Sequence, residues 1–455
     1  MSTVLGFLLT LAVLIVVHEY GHYRVAVACG VKVHRFSVGF GRVLLRWRRG
    51  PDQTEFVVCA LPLGGYVRML DEREGLVAPH EAHRAFNRQK LWKRASIVAA
   101  GPLANLLLAV VLLASAQMIG VQEPPAVLGT PAAGSAMEAA GLRAGQQVQA
   151  SSVDGEQWED LRSMPELRWR VTQAAMQGQT LHLQVSDAGS AGRHHVRVDL
   201  SALAGRDVDA ALMKAVGLGA AYSEAVLGDV KVGGPAATAG LQRGDRVLSL
   251  DGRPVADAQA LVEAIRASVR DGQATPQTWR VERAGQPMTL TVTPRVDRDG
   301  ERSIGRVDAA VGRPLPMVSV QRGPLEALAL GLDRTGEVAS MTVRMLGRML
   351  IGEASLKNLS GPLTIADYSG QAVQQGLSYY LGFLALVSIS LGVLNLLPLP
   401  ILDGGHLMYY IFEAVTGRPV SERWLARLQR GGVALLLMMM SVALFNDVAR
   451  LLGLH

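Results

Sequence analysis

The chain has 455 residues, of which 49% are hydrophobic and only 18% charged, a balance too apolar for an ordinary soluble protein of about three domains and one that indicates membrane segments. The formal net charge of +6 does not point to a nucleic-acid partner, because the basic residues cluster beside the hydrophobic runs and are not interleaved with aromatics, which form 5% of the chain. The two cysteines, Cys29 and Cys59, fall in a segment expected to face the cytoplasm and have no metal-ligand spacing, which argues against a disulfide framework.

Residues 4–23 open with an apolar run, Val4 to Val17. No Lys or Arg precedes it and no small-residue cleavage site follows, so a retained membrane helix is expected rather than a signal peptide. The run continues into His18-Glu19-Tyr20-Gly21-His22. On a helix, positions i and i+4 share one face about 6 Å apart along the axis. Two imidazoles there can share one Zn²⁺, and Glu19 can take a proton from a water on that metal. Ionisable groups at the end of an apolar span are costly unless they serve a function. The plain alternative is that all three merely face water at the interface.

Segment 24–94 carries Arg24, Lys32, Arg35, Arg42, Arg46, Arg48 and Arg49, then Arg84, Arg88, Lys90, Lys93 and Arg94, which places it in the cytoplasm by the positive-inside rule. The second span is expected at 95–119. The long segment 120–376 and both termini then lie outside. Within that segment two stretches read alike: Gly134 to Val148, with Ala140-Gly141-Leu142 and Gly145, and Gly234 to Val247, with Ala239-Gly240-Leu241 and Gly244. An Asp-Gly turn follows each, Asp154-Gly155 and Asp251-Gly252, a hairpin signal. The pattern resembles the PDZ domain of bacterial proteases and implies two such modules, the second matching better because the first carries Gln146-Gln147 in place of Asp245-Arg246. A PDZ domain adds a peptide as a strand to a sheet edge; a pair over a membrane site can also act as a size filter, and the sequence leaves both open. Residues 325–352 are apolar but carry Asp333, Arg334, Glu337, Arg344 and Arg348. They predict an amphipathic helix on the outer membrane surface rather than a fifth span.

The third span is expected at 377–397, stopped by Pro398 and Pro400, and the fourth at 432–452, weakened by Asp447 and Arg450. Segment 401–431 adds Arg418, Arg423, Arg427 and Arg430 on the cytoplasmic side. Zinc catalysis needs a third protein ligand and an open position. Asp403, after the third span and on the same side as His18 and His22, is the best candidate; His406 is a rival ligand. The prolines end the helix, and irregular backbone at membrane depth is tolerated where it lines a wet cavity. Asn395 can aim its amide at a substrate carbonyl.

His18-Glu19-x-x-His22, the segment Asn395-x-x-Pro398-x-Pro400-x-Leu402-Asp403-Gly404, and an intervening PDZ pair together resemble the site-2 protease family over essentially the whole chain. The resemblance implies His18, His22 and Asp403 as zinc ligands, Glu19 as catalytic base, and Asn395 with the Pro398–Pro400 turn as substrate-holding. It implies a membrane-embedded β-loop at 61–70, where Gly64, Gly65 and Tyr66 offer an edge strand to an unwound substrate helix; the alternative is an ordinary cytoplasmic hairpin. Gly101 and Asn105 resemble the family's G-x-x-x-N element, read as close helix packing, and Ser360-Gly361-Pro362-Leu363 the segment before its third span.

The expected architecture is a multi-pass α-helical membrane protein with four transmembrane helices, a membrane-associated β-hairpin loop and two α+β PDZ-like periplasmic domains. Its parts are 1–119 with the His-Glu-x-x-His motif and β-loop, 120–219 and 220–312 as the modules, 313–376 as a periplasmic helical segment, and 377–455 as spans three and four. The expected activity is zinc-dependent cleavage within the membrane segment of a single-pass protein, in the bacterial inner membrane with the site toward the cytoplasm. The resemblance implies an anti-sigma factor already trimmed outside as substrate, with remnant signal peptides a second class. The expected partners are that substrate and the lipid bilayer, with no nucleic acid; no oligomeric state is fixed, and a monomer suffices. The rival classes are a non-catalytic PDZ scaffold, which would tolerate loss of zinc, and a transporter-like metal protein, which would need further ligands within the spans.

Overall fold

The computed structural model describes residues 2–187, 192–205, 210–219, 221–270, 272–299, 302–351 and 361–451. Ala220, Gly352, Ser360 and Leu452 of the segments expected above lie outside them. The chain divides into two compact units, one from Met1–Val121 with Gln321–His455, the other Gln122–Val320.

In the first unit the elements are α1 (Ser2–Ala28), β1 (Val33–Arg49), β2 (Thr54–Met69), α2 (Leu91–Ile119), α3 (Pro324–Leu350), α4 (Pro362–Gln375), α5 (Leu377–Leu396), α6 (Asp403–Thr416) and α7 (Glu422–Leu451). Among the described residues four helices are long and apolar enough to cross a membrane: Leu5–Ala28, Leu91–Ile119, Leu377–Leu396 and Arg423–Val448. They overlap the four expected spans, but α1 continues past 23 and α7 begins before 432. Charged residues such as Arg423 and Arg427 are good helix formers, so the helix outlasts its apolar stretch.

Small residues set the helix contacts. A Cβ on Gly21 of α1 would stand 2.4 Å from the Ala100 carbonyl oxygen of α2, and one on Gly392 of α5 would stand 3.0 Å from that of Pro102. Such positions let backbones approach where apolar burial alone drives nothing together. Polar pins add to this: Thr10 Oγ1 and Tyr380 Oη are 3.0 Å apart, and Ser388 Oγ donates to the Asn105 carbonyl at 2.7 Å.

Two features go beyond the sequence reading. The described part of 325–352 is a helix that is not among those long and apolar enough to cross a membrane. α3 runs antiparallel along α2, with Arg322 donating to Gln117 at its start, Gly331 against Val110 and Ala114, and Val338 and Ala339 packed on the cluster of Ala109, Ala385 and Ile389. Ala327 and Gly331 are buried, while Leu325, Leu328, Leu332, Met341 and Val343 stay exposed. Asp447, which weakened the fourth span, is buried and fully used: its carboxylate accepts from the amides of Gly361 (3.0 Å), Leu363 (2.9 Å) and Thr364 (3.2 Å). It supplies from another helix the cap that the first turn of α4 lacks.

The β-loop is a bent sheet. Residues 33–38 of β1 pair on one side with 55–58 and on the other with 65–69, through register shifts that curl β2 around β1. Glu55, buried, is held by Arg35 at 2.6 Å and by Arg46 at 3.3 Å, and Trp47 stacks on Phe56. Phe40, Leu44, Leu45, Trp47 and Leu61 are exposed, an apolar face of the kind a bilayer covers.

The second unit is β-rich and holds two cores. One surrounds Val148, Leu167, Val171 and Leu183; the other surrounds Leu227, Leu261, Trp279 and Val281. The first has strands in the order 159–160, 147–152, 180–186, 193–199, with helix Met164–Gln177; the second has 286–292, 277–283, 246–250, 223–230, 309–314, with helix Ala258–Arg266. Asp251 and Gly252 both have positive φ, 48° and 79°, and join Leu250 to Arg253 in a tight hairpin, the type I′ geometry that Asp-Gly favours. Asp154-Gly155 instead sits in a longer loop, where Asp154 accepts from Ser152, Glu156 and Gln157. These donors hold its carboxyl down at about 2. The odd Gln146 is explained too. Asp245 accepts from the Gln242 amide at 2.9 Å, and Gln146 Oε1 accepts from Arg143 in the same place at 2.8 Å.

Candidate metal and catalytic site

His18 and His22 project from one face of α1, and Asp403 is the first residue of α6. The turn from Leu397 to Leu402, which carries Pro398 and Pro400, returns the chain from α5 so that this carboxylate meets the imidazoles. The two Nε2 atoms are 3.2 Å apart, and Asp403 Oδ2 lies 3.3 Å from that of His18 and 3.5 Å from that of His22. Among the described residues this is the cluster of three such groups able to hold a metal ion.

The spacing can be tested against zinc. Tetrahedral zinc with bonds of ~2.0–2.1 Å has ligand atoms roughly 3.3–3.4 Å apart. The three observed edges bracket that value, so the donor set forms one face of a tetrahedron and leaves the fourth corner open. Two imidazole nitrogens and a carboxylate oxygen are also the donor types that zinc takes at catalytic sites.

The surroundings fix the imidazoles. His22 Nδ1 lies 2.8 Å from the Ile97 carbonyl. A carbonyl only accepts, so the proton sits on Nδ1 and Nε2 presents its lone pair to the cluster. The Asn105 amide nitrogen is 3.2 Å from His18 Nδ1, while its Oδ1 is buried and has no partner among the described residues. Turning the amide over brings the oxygen onto Nδ1–H and leaves His18 Nε2 free for a metal. Beside it, a Cβ on Gly101 would stand 2.2 Å from His22 Nε2. The G-x-x-x-N element was read as helix packing alone. Its four-residue spacing matches that of the histidines, so one face of α2 meets one face of α1 residue for residue.

Glu19 is half-buried beside the cluster. A Cβ on Gly65 would stand 2.8 Å from Glu19 Cγ, so β2 passes directly over the acid. Residues 65–69 pair with β1 on one side and, among the described residues, with no strand on the other, an open edge able to take a further strand. Gly64 has φ 132° and turns the chain against Phe40; Tyr66 stacks on Phe40 and lies 3.4 Å from an Arg35 nitrogen. Asn395 lies in the last turn of α5, and Pro398 and Pro400 in the turn that delivers Asp403. His406, one turn on in α6, is not among the three clustered ligand residues and packs against Tyr409.

A family model for peptidase family M50 matches residues 6–439. A Ralstonia nicotianae protein that bears the name zinc metalloprotease is 42% identical, with both chains covered in full. The regulator of sigma-E protease RseP of Escherichia coli is 39% identical over 98% of each chain, and protease RseP of Yersinia pestis is 38% identical over the same shares.

Proposed function

The chain belongs to peptidase family M50, the site-2 proteases, and from that premise we propose that His18, His22 and Asp403 hold zinc and that Glu19 is the catalytic base of an intramembrane endopeptidase. The enzyme class, metalloendopeptidase, comes with the family. The observation that supports the assignment most is the set of three ligand edges of 3.2–3.5 Å, built from the two ends of the chain.

Zinc bound there supplies a Lewis acid that polarises the scissile carbonyl and makes water nucleophilic near neutral pH. The chain's own groups do the rest. Glu19 takes the proton and hands it to the leaving amine. Asn395 donates to the carbonyl oxygen as charge develops. A helical peptide bond is shielded by its own hydrogen bonds, so the substrate must unwind, and the free edge of 65–69 satisfies the backbone groups thus exposed. Gly64 and Gly65 let that strand lie close to Glu19, with Tyr66 beside them, and the Pro398–Pro400 turn helps to hold the substrate.

The substrate is the membrane segment of a single-pass protein. Its proposed class is an anti-sigma factor already trimmed outside, with remnant signal peptides as a second class; the relatives named regulator of sigma-E protease support a place in a sigma-E type response. The protein sits in the inner membrane with both termini and the β-rich unit outside and the site toward the cytoplasm, in keeping with the arginine-rich loops. The β-rich unit comprises two PDZ-like modules, which bind chain ends or exclude untrimmed substrate. The decisive experiment compares cleavage of a single-pass substrate by the full-length protein and its Glu19→Gln variant. Loss of cleavage with zinc retained is expected; undiminished cleavage would overturn Glu19 as the base, and no cleavage by the parent protein would leave a scaffold role instead.

A further inference from the structure

Beyond the metal cluster, the edge of β2 and one face of α6 enclose a cavity of about 440 Å³. One wall is Val67 and Met69, two and four residues past Gly65. The other is His406, Tyr409, Tyr410 and Glu413, spaced i, i+3, i+4 and i+7 on the helix that begins with Asp403. Arg94 of α2 adjoins this face: its guanidinium pairs with Glu413 at 2.5 Å and lies 5.1 Å from the centre of the Tyr410 ring.

Two groups in this wall are unspent. The Tyr409 hydroxyl, on a residue only 7% exposed, and the Arg94 Nε–H are buried and, among the described residues, have no hydrogen-bond partner. Buried donors are seldom left so, and two of them lining one cavity mark a place where a bound acceptor completes the pair. The rest of the lining is mixed, with Phe86 and Leu425 beside Asp71, Arg73 and Glu74.

An extended chain advances about 3.3 Å per residue. A substrate laid on the free edge of 65–69 therefore enters this cavity two to four residues past the one that faces Glu19. We propose that the cavity is the subsite for those residues, on the cytoplasmic side of the scissile bond, and that Tyr409 sets its preference. The hydroxyl donates to a side-chain carbonyl, as of Gln or Asn. Leu at the same place brings no acceptor and leaves both donors unsatisfied. This inference rests on the protease reading and on 65–69 as the strand that takes the substrate.

The test uses the full-length, zinc-loaded protein in lipid nanodiscs and a single-pass substrate carrying Gln or Leu at the third residue past the scissile bond. The Gln substrate is expected to be cut roughly three- to tenfold better in kcat/KM than the Leu substrate, the range that one neutral hydrogen bond supplies. In Tyr409→Phe the Gln-to-Leu ratio is expected to fall to about one. A ratio unchanged by that substitution, or no preference in the parent protein, overturns the subsite alone. Failure of the parent to cut either substrate overturns the protease reading and the subsite with it. As a measurement independent of turnover, a benzophenone side chain at the same substrate position is expected to cross-link the Glu19→Gln protein within 406–413 or 67–73; cross-links confined to other segments overturn the placement.

Discussion

Gly101 lies so close to His22 that a methyl group on it would stand 2.2 Å from Nε2, the nitrogen that turns toward Asp403. The contact is made by the backbone of α2, which cannot swing aside as a side chain would. Gly101→Ala is therefore expected to push the imidazole off its position and to weaken zinc binding at least tenfold, at the upper reach of what ligand-orienting groups contribute. Zinc content after dialysis against a graded chelator measures it; parental zinc retention would show that the ring has room to move.

Asn105 acts on the other imidazole, by holding His18 Nδ1 from 3.2 Å. Asn105→Leu keeps the volume but removes the acceptor, and roughly a 10–100-fold loss of zinc affinity is expected. Asn105→Asp restores an acceptor and should recover much of it. The pair separates orientation of the ligand from packing: a mere packing role would rank Leu no worse than Asp.

How much of this was legible beforehand follows from the physics of each signal. His18 and His22 stand on one helix, so their spacing alone places them together. Asp403 needed topology, and the proline-broken turn after an apolar run made it the residue to choose. Asn105 and Gly101 were visible as a motif, but their role depends on which face of α2 meets α1, and that crossing is set by Gly21 against Ala100. The contact of α3 with α2 through Gly331 was not legible, because an amphipathic pattern does not say which element its small residues meet. The unspent donors at Tyr409 and Arg94 leave no mark in the sequence, since a missing partner is a property of packing.

Asp447 caps α4 from α7 through three backbone amides. Asp447→Ala leaves those amides without an acceptor in a buried place and is expected to cost about 1–3 kcal/mol of local stability. Hydrogen exchange should rise across 361–375, with the zinc content unchanged. Asp447→Asn keeps one carbonyl and should fall between the two. Uniform exchange across all three proteins would mean that packing alone holds this end of α4.

The two repeats differ at one buried position, Gln146 in the first and the titratable Asp245 in the second, and that gives a test by pH. Asp245 is fully buried. Burial pushes its carboxyl up, but Arg283, bonded through two nitrogens at 2.7 Å each, and the Gln242 amide pull it down, and the net direction is below the ordinary value. A carboxyl whose folded value lies below its unfolded value of about 3.9 stabilises fully above that pH, and the contribution is lost as pH falls through the folded value. Gln146, which takes the same amide in the first repeat, does not titrate. Asp245→Asn is therefore expected to loosen 242–250 by about 1–3 kcal/mol at neutral pH, because Arg283 loses its partner. At strongly acid pH the gap between variant and parent should close, because the parent carboxyl is then protonated as well. Hydrogen exchange of that segment in the full-length protein, read from neutral to acid pH, measures the gap. A gap that persists unchanged at acid pH would mean that the Asp245 charge contributes nothing and only its shape matters.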